Sequence, residues 1–283
     1  MNKSLLDFSL RRDLSLHAAV VAAVADAASA LGVHTMITGA FARDLHVTYR
    51  HGIATQRQTE DVDFAIAVSN WQVFSNLTAR LLDGGSFRAV DGRTYRFRHV
   101  DSALPVDLVP FTGIETPDRR IAWPPDGAIV MDVFGFREAH ANAVRVRLPH
   151  GVEAKVVSVP GLALLKIVAW NDRHVRAPFK DAPDLMLIAS SYLQLGNEPR
   201  LWKQFAAWTE EGDFDYEVSG ARMLGLDVKA LLDARDVGRI VAILEQQIST
   251  GTRFGELVME MNRFDPDRAR RIIAGIVRGL SES

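Results

Sequence analysis

The chain has 283 residues, 48% of them hydrophobic and 24% charged, which suits one large or two modest folded domains and excludes a disordered or fibrous protein. A formal net charge of −2 excludes a globally basic nucleic-acid binder, and the absence of cysteine excludes disulfides and thiolate metal sites or nucleophiles. No signal-peptide core opens the sequence, and the apolar run Ala18 to Leu31 carries Asp26 and is too short to span a bilayer, so the expectation is a cytoplasmic protein without membrane association.

In chain order, the spacing of Leu16, Val20, Val24, Ala27 and Leu31 predicts an amphipathic helix stopped at Gly32. Val33 to Ile37 reads as a strand. Thr38-Gly39-Ala40 then turns into a helix from Phe41 to about Tyr49. A glycine at such a turn lets a phosphate approach backbone N–H groups, although many glycines there serve conformation alone. A polar loop containing His51, Arg57 and Gln58 leads to Thr59-Glu60-Asp61-Val62-Asp63-Phe64 and a strand through Val68. Residues two apart in a strand share a face, so Asp61 and Asp63 project side by side, about 6–7 Å apart at the backbone. Two such carboxylates repel unless a cation or donor lies between them. Mg²⁺ with its oxygen ligands suits the gap, whereas a lone pair of this kind is more often a solvated strand end.

A helix from about Asn70 to Leu82 ends at Gly84-Gly85, and Asp91-Gly92 between two alternating runs predicts a hairpin. Arg96 and Arg98 share one face of its second strand, solvent-facing or phosphate-contacting. Pro105 to Pro110 is a short apolar strand interrupted by Asp107, and a carboxylate there is costly unless paired or metal-bound. Gly113 to Ile129 reads as loop, with Trp123-Pro124-Pro125-Asp126 a rigid turn or a base-stacking lid. Val130 to Phe136, Val144 to Leu148 and Ala154 to Val159 read as strands, the last two an edge hairpin. From Ser158, a good N-cap, the patterns are helical: 161–173, 184–195, 201–210, 221–224, 228–234, 237–248, 254–262 and 266–280. The expected fold class is therefore α+β. A mixed β-sheet flanked by helices occupies residues 1–157, and an all-helical domain at 158–283 completes the active-site cleft.

Lys166, Trp170 and Arg173 stand at i, i+4 and i+7 on one helix face, a set suited to a triphosphate and a stacked base, or to a lysine snorkelling from an apolar helix. Asp181 and Asp184 lie near a helix start, where negative charge also suits the dipole. Arg88, Arg93, Arg96 and Arg98, and Arg268, Arg270, Arg271 and Arg278, form two basic clusters, candidate nucleic-acid contacts or ordinary solvated faces.

Gly39-Ala40, then Glu60-Asp61-Val62-Asp63-Phe64, then Val106-Asp107-Leu108-Val109-Pro110-Phe111 resembles the polymerase-β-type nucleotidyltransferase superfamily. With Leu164-Leu165-Lys166-Ile167-Val168-Ala169-Trp170-Asn171-Asp172-Arg173 and Lys180-Asp181-Ala182-Pro183-Asp184-Leu185, the sequence is similar to the AbiEii/AbiGii toxin-like branch over about residues 35–195. The resemblance implies a nucleotidyltransferase with an NTP donor and two Mg²⁺ ions on Asp61, Asp63 and Asp107. It also implies an acceptor that in related toxins is a tRNA end, and a cognate antitoxin protein. Lys166 matches a phosphate-contacting lysine, and Asp184 or Asp181 the acid working with it. Asp61, Asp63, Asp107, Lys166 and Asp184 are the catalytic candidates. Thr38, Gly39, Ala40, Arg43, Arg57 and Arg173 are the nucleotide-contacting ones. Ala40 stands where the superfamily has serine, which raises the alternative of a degenerate fold that binds or regulates without catalysis. A glycosyltransferase is a further alternative, disfavoured because only about sixty residues precede the acid pair.

Overall fold

A computed structural model of the chain describes residues 5–55, 59, 61–249 and 255–282. Arg57, Glu60 and the expected helix start at Phe254 lie outside the described residues. The chain divides into two compact units, residues 1–50 with 54–158, and residues 51–53 with 159–283.

The first unit contains β1 (Leu6–Asp7), α1 (Ser15–Ser29), β2 (His34–Thr38), α2 (Gly39–Asp44), β3 (Val62–Val68), α3 (Trp71–Asp83), β4 (Phe87–Val90) and β5 (Arg93–His99). It continues with β6 (Pro105–Thr112), β7 (Arg120–Ala122), β8 (Val130–Asp132), α4 (Phe136–Ala141), β9 (Val144–Arg147) and β10 (Glu153–Val156). Among the described residues, eight strands form one mixed sheet in the order β1-β9-β10-β2-β3-β6-β5-β4, and β7 and β8 form a separate ribbon. The β2–β3 pair is antiparallel and the β3–β6 pair parallel. This is not the extended parallel sheet that a sugar-nucleotide glycosyltransferase would need. Met36, Ile37, Val62, Phe64, Ile66, Val106 and Leu108 are fully or nearly fully buried, so the central strands carry the core. Apolar burial of this kind drives their association. The Asn70 side chain caps α3 by accepting from the Val73 N–H at 3.0 Å, and Gly92 takes φ +70° in the β4–β5 turn.

Several expectations are corrected in this unit. The β9–β10 hairpin lies inside the sheet, because the two-residue β1 pairs with β9 and takes the edge. Two residues are too few for an alternation signal. The segment Val130 to Phe136 is a strand only to Asp132; Gly135, at φ +88°, turns the chain into α4. The expected loop contains β7. Trp123 is not a lid: it is 2% exposed and packs against Trp71, Phe74 and Tyr95 with ring centroids 5.2–5.8 Å apart.

The second unit is helical: α5 (Val159–Arg173), α6 (Ala182–Ser190), α7 (Glu198–Gln204), α8 (Tyr216–Lys229), α9 (Ala234–Ile248), α10 (Glu256–Met261) and α11 (Pro266–Ser281). The short helix expected over 221–224 lies inside α8, which runs on to Lys229, and the helix expected over 228–234 is instead the end of α8, a turn, and Ala234 at the start of α9. The glycines of α8 are packing positions rather than breaks. A Cβ on Gly225 would meet the Ile276 carbonyl oxygen at 2.2 Å, and one on Gly279 the Arg222 carbonyl oxygen at 1.9 Å, so α8 and α11 meet backbone to backbone. No helix among the described residues is long and apolar enough to cross a membrane.

Candidate active site

The sheet register aligns four residues in one row. Thr38 on β2 pairs with Asp63 on β3, Asp63 with Asp107 on β6, and Asp107 with Arg96 on β5. Residues paired directly across strands share a face. The row therefore brings an acid and its neighbours together from segments up to about seventy residues apart. Asp61 lies two residues before Asp63 and joins the same face. One carboxylate oxygen from each of Asp61, Asp63 and Asp107 lies within 4.8 Å of the others.

Three carboxylates this close repel one another, and Arg96 supplies positive charge. Its Nε donates to Asp107 Oδ1 and its Nη2 to Asp107 Oδ2, both at 2.6 Å, while Nη2 stands 3.5 Å from Asp61 Oδ2. The bond to Asp107 and the nearby acids outweigh the partial burial, which opposes charge, and the guanidinium is held still more firmly charged than usual. The Asp107 side chain is 11% exposed, those of Asp61 and Arg96 each 28%. The donor set is all carboxylate oxygen, the kind a hard divalent cation takes. A guanidinium already sits where positive charge is favoured, so the residues fit such a cation.

Gly39 opens this cluster. It has φ +67°, and a Cβ there would meet Asp63 Oδ2 at 1.8 Å. Glycine is thus required twice over, by its backbone conformation and by the room that Asp63 occupies. Thr38 is 6% exposed and its side chain does not cap α2. Ala40 follows Gly39 in the first turn of α2.

Arg43, expected at the nucleotide, lies in a buried ion pair on α2. It is 3% exposed, its Nε and Nη2 both reach Asp44 Oδ1, at 2.8 and 2.6 Å, and Thr59 Oγ1 bonds Asp44. The group ties α2 to the residue two positions before Asp61, so the buried arginine steadies the approach to β3.

In the second unit, Lys166 on α5 is 7% exposed and lies 2.6 Å from Asp184 and 3.1 Å from Asp181. Burial pulls its pKa down, but the two carboxylates outweigh this and hold it above the ordinary value. Arg173 grips both oxygens of Asp181 at 2.8 Å. Burial pushes Asp181 up, and Lys166 and Arg173 bring it down to about 2. Trp170 does not offer a stacking face as expected: it is 2% exposed and stacked on His174 at 4.4 Å. The basic clusters are laced with partners. Arg98 donates to the Ala103 carbonyl oxygen and Arg93 to the Tyr95 hydroxyl, while Arg268 pairs with Glu217, Arg270 with Asp267 and Arg278 with Glu211. The Arg96–Asp107 fork was not foreseen. Its one sequence signal is an arginine at alternating spacing in the strand preceding the Asp107 strand.

A family model described as nucleotidyl transferase AbiEii toxin, type IV TA system, matches residues 23–268. No curated protein matches the chain. Two solved structures align with TM-score 0.39. One is a solution structure of the antibiotic-resistance factor ANT(2'')-Ia, at 15% identity over 69% of this chain and 96% of that one. The other is the crystal structure of ANT(2'')-Ia in complex with adenylyl-2''-tobramycin, at 16% identity over 69% of this chain and 99% of that one.

Proposed function

The chain belongs to the AbiEii nucleotidyl transferase toxin family, and from that premise we propose that it transfers an NMP from an NTP to an RNA end, with tRNA the first acceptor to try. The observation that carries the reading is the convergence of Asp61, Asp63 and Asp107 on one face of the sheet. Asp61, Asp63 and Asp107 would hold two Mg²⁺ ions, which supply charge stabilisation of the triphosphate and of the leaving pyrophosphate and lower the pKa of the attacking hydroxyl. Asp63 owes its position to Gly39, which leaves it space, and to the in-register neighbours Thr38 and Asp107. Thr38, Gly39 and Ala40 are assigned to the nucleotide because Thr38 and Gly39 border Asp63 and Ala40 follows in the same turn. Ala40 brings no hydroxyl, so contacts at this turn fall to backbone N–H groups.

Within the helical unit, Lys166 is assigned to phosphate, Asp181 and Asp184 keep it charged, and Arg173 holds Asp181 in place. A lysine kept charged in this way serves phosphate as a point charge rather than as a proton donor. A cognate antitoxin encoded with this protein and a cytoplasmic site of action follow from the same family reading.

The test is label transfer. Wild-type protein, Mg²⁺ and each α-labelled NTP in turn are incubated with total RNA, and the RNA is resolved by size. Label should enter an RNA class with at least one NTP, and Asp63→Asn should abolish it. A well-folded wild type that labels nothing with any NTP removes the RNA-acceptor reading.

A further inference from the structure

Arg96 engages both oxygens of Asp107 in a parallel fork of two 2.6 Å bonds, and its Nη2 also faces Asp61 at 3.5 Å. The fork is the strongest geometry that a carboxylate offers a guanidinium. Asp107 and Asp61 are two of the three acids whose oxygens converge within 4.8 Å. A cation taking those oxygens and the guanidinium therefore compete for the same lone pairs. Their like charges also repel at this separation. Arg96 lies directly opposite Asp107 in the β5–β6 pair, so its backbone is fixed and its side chain alone can turn away. With the side chain 28% exposed, it has a route towards solvent.

We infer that Arg96 is a built-in counter-ion of the acidic triad, which a divalent cation must displace from Asp107 before it is fully coordinated. The inference rests on reading the triad as a divalent-cation site. Its consequence is that the cation alone binds weakly, and that removing the guanidinium strengthens that binding. This is the opposite of what a simple structural or stabilising role for Arg96 predicts. Loss of a merely structural fork would disorder Asp107 and weaken the site.

The probe is Mn²⁺ without nucleotide, followed by its paramagnetic resonance signal, which reports free ion directly and needs no turnover. Wild type, Arg96→Gln and Arg96→Lys are titrated, with Asp63→Asn as the site control. Arg96→Gln should bind Mn²⁺ at least roughly tenfold more tightly than wild type, since a full positive charge has left the ligand shell. Arg96→Lys keeps the charge but loses the fork, and should fall between the two, at least about threefold tighter than wild type. It also stands in if Arg96→Gln does not fold. Mn²⁺ affinities in both variants equal to or weaker than wild type, with binding abolished by Asp63→Asn, overturn the counter-ion inference and leave the metal site standing. No bound Mn²⁺ in wild type or either Arg96 variant up to about 10 mM, well above ordinary functional affinities, overturns the metal reading itself and the inference with it.

Discussion

Substituting Gly39 by alanine probes the site without removing a charged group. The added Cβ would sit 1.8 Å from Asp63 Oδ2 and 2.6 Å from its Cγ. Real Cβ contacts essentially never fall below 3.0 Å, so the carboxylate must retreat by at least about 1.2 Å. The φ of +67° adds backbone strain of roughly 1–2 kcal/mol for a residue with a side chain. A displacement near 1 Å at a reacting centre costs about 10²-fold in rate, equivalent to about 2.7 kcal/mol of transition-state stabilisation. The strain should lower the melting temperature by roughly 2–8 °C, so the protein stays folded at 25 °C. The assay is the rate of NMP transfer at saturating divalent cation, alongside a thermal melt. Gly39→Ala should lose at least about 100-fold in rate while giving a cooperative melt. A variant within about threefold of the wild-type rate would show that the position of Asp63 does not govern the reaction, and the reasoning from this close approach fails.

Asp61→Asn should cut transfer by about 100-fold or more while leaving the melting temperature unchanged or higher, because one of three mutually repelling charges is gone; a drop of more than about 5 °C would mark Asp61 as structural. Lys166→Met leaves Asp181 and Asp184 buried without their shared cation and should cost about 3–5 kcal/mol in urea unfolding. Adding Asp184→Asn to it should restore at least about 1 kcal/mol, and a purely additive double variant contradicts the pairing. Asp181 is depressed from 3.8 to about 2, so the unfolded chain binds its proton first. The stability it contributes is present above pH 3.8 and is lost as pH falls towards 2. Between pH 5 and 2 the wild type should lose roughly 2 kcal/mol more than Asp181→Asn in urea midpoints; equal losses refute the assignment.

The sequence carried the acidic cluster further than it carried its surroundings. Asp61 and Asp63 announce a shared face because strand periodicity is local, and Asp107 stands out as an acid in an apolar strand. What placed them together, the parallel β3–β6 register, is a long-range property that no local pattern encodes. The same limit hid the Arg96 fork: alternation showed that Arg96 and Arg98 share a face, but not that Asp107 lies opposite Arg96. Gly39 was legible as a turn residue. That its missing side chain makes room for Asp63 is visible only in three dimensions. In the helical unit, glycines 220 and 225 obscured α8, because a glycine that admits a neighbouring backbone looks in sequence like one that ends a helix. Trp123 was ambiguous for a related reason, since its aromatic partners come from α3 and β5.

The proposed role of Asp61, Asp63 and Asp107 is to hold the divalent cations of a nucleotidyl transfer. Its most direct test is anomalous scattering from crystals grown with Mn²⁺ and a non-hydrolysable NTP. Mn²⁺ peaks should lie within coordination distance of all three carboxylates, with triphosphate oxygens completing the shell. Mn²⁺ and nucleotide bound elsewhere, with the Arg96 fork on Asp107 intact, would contradict it.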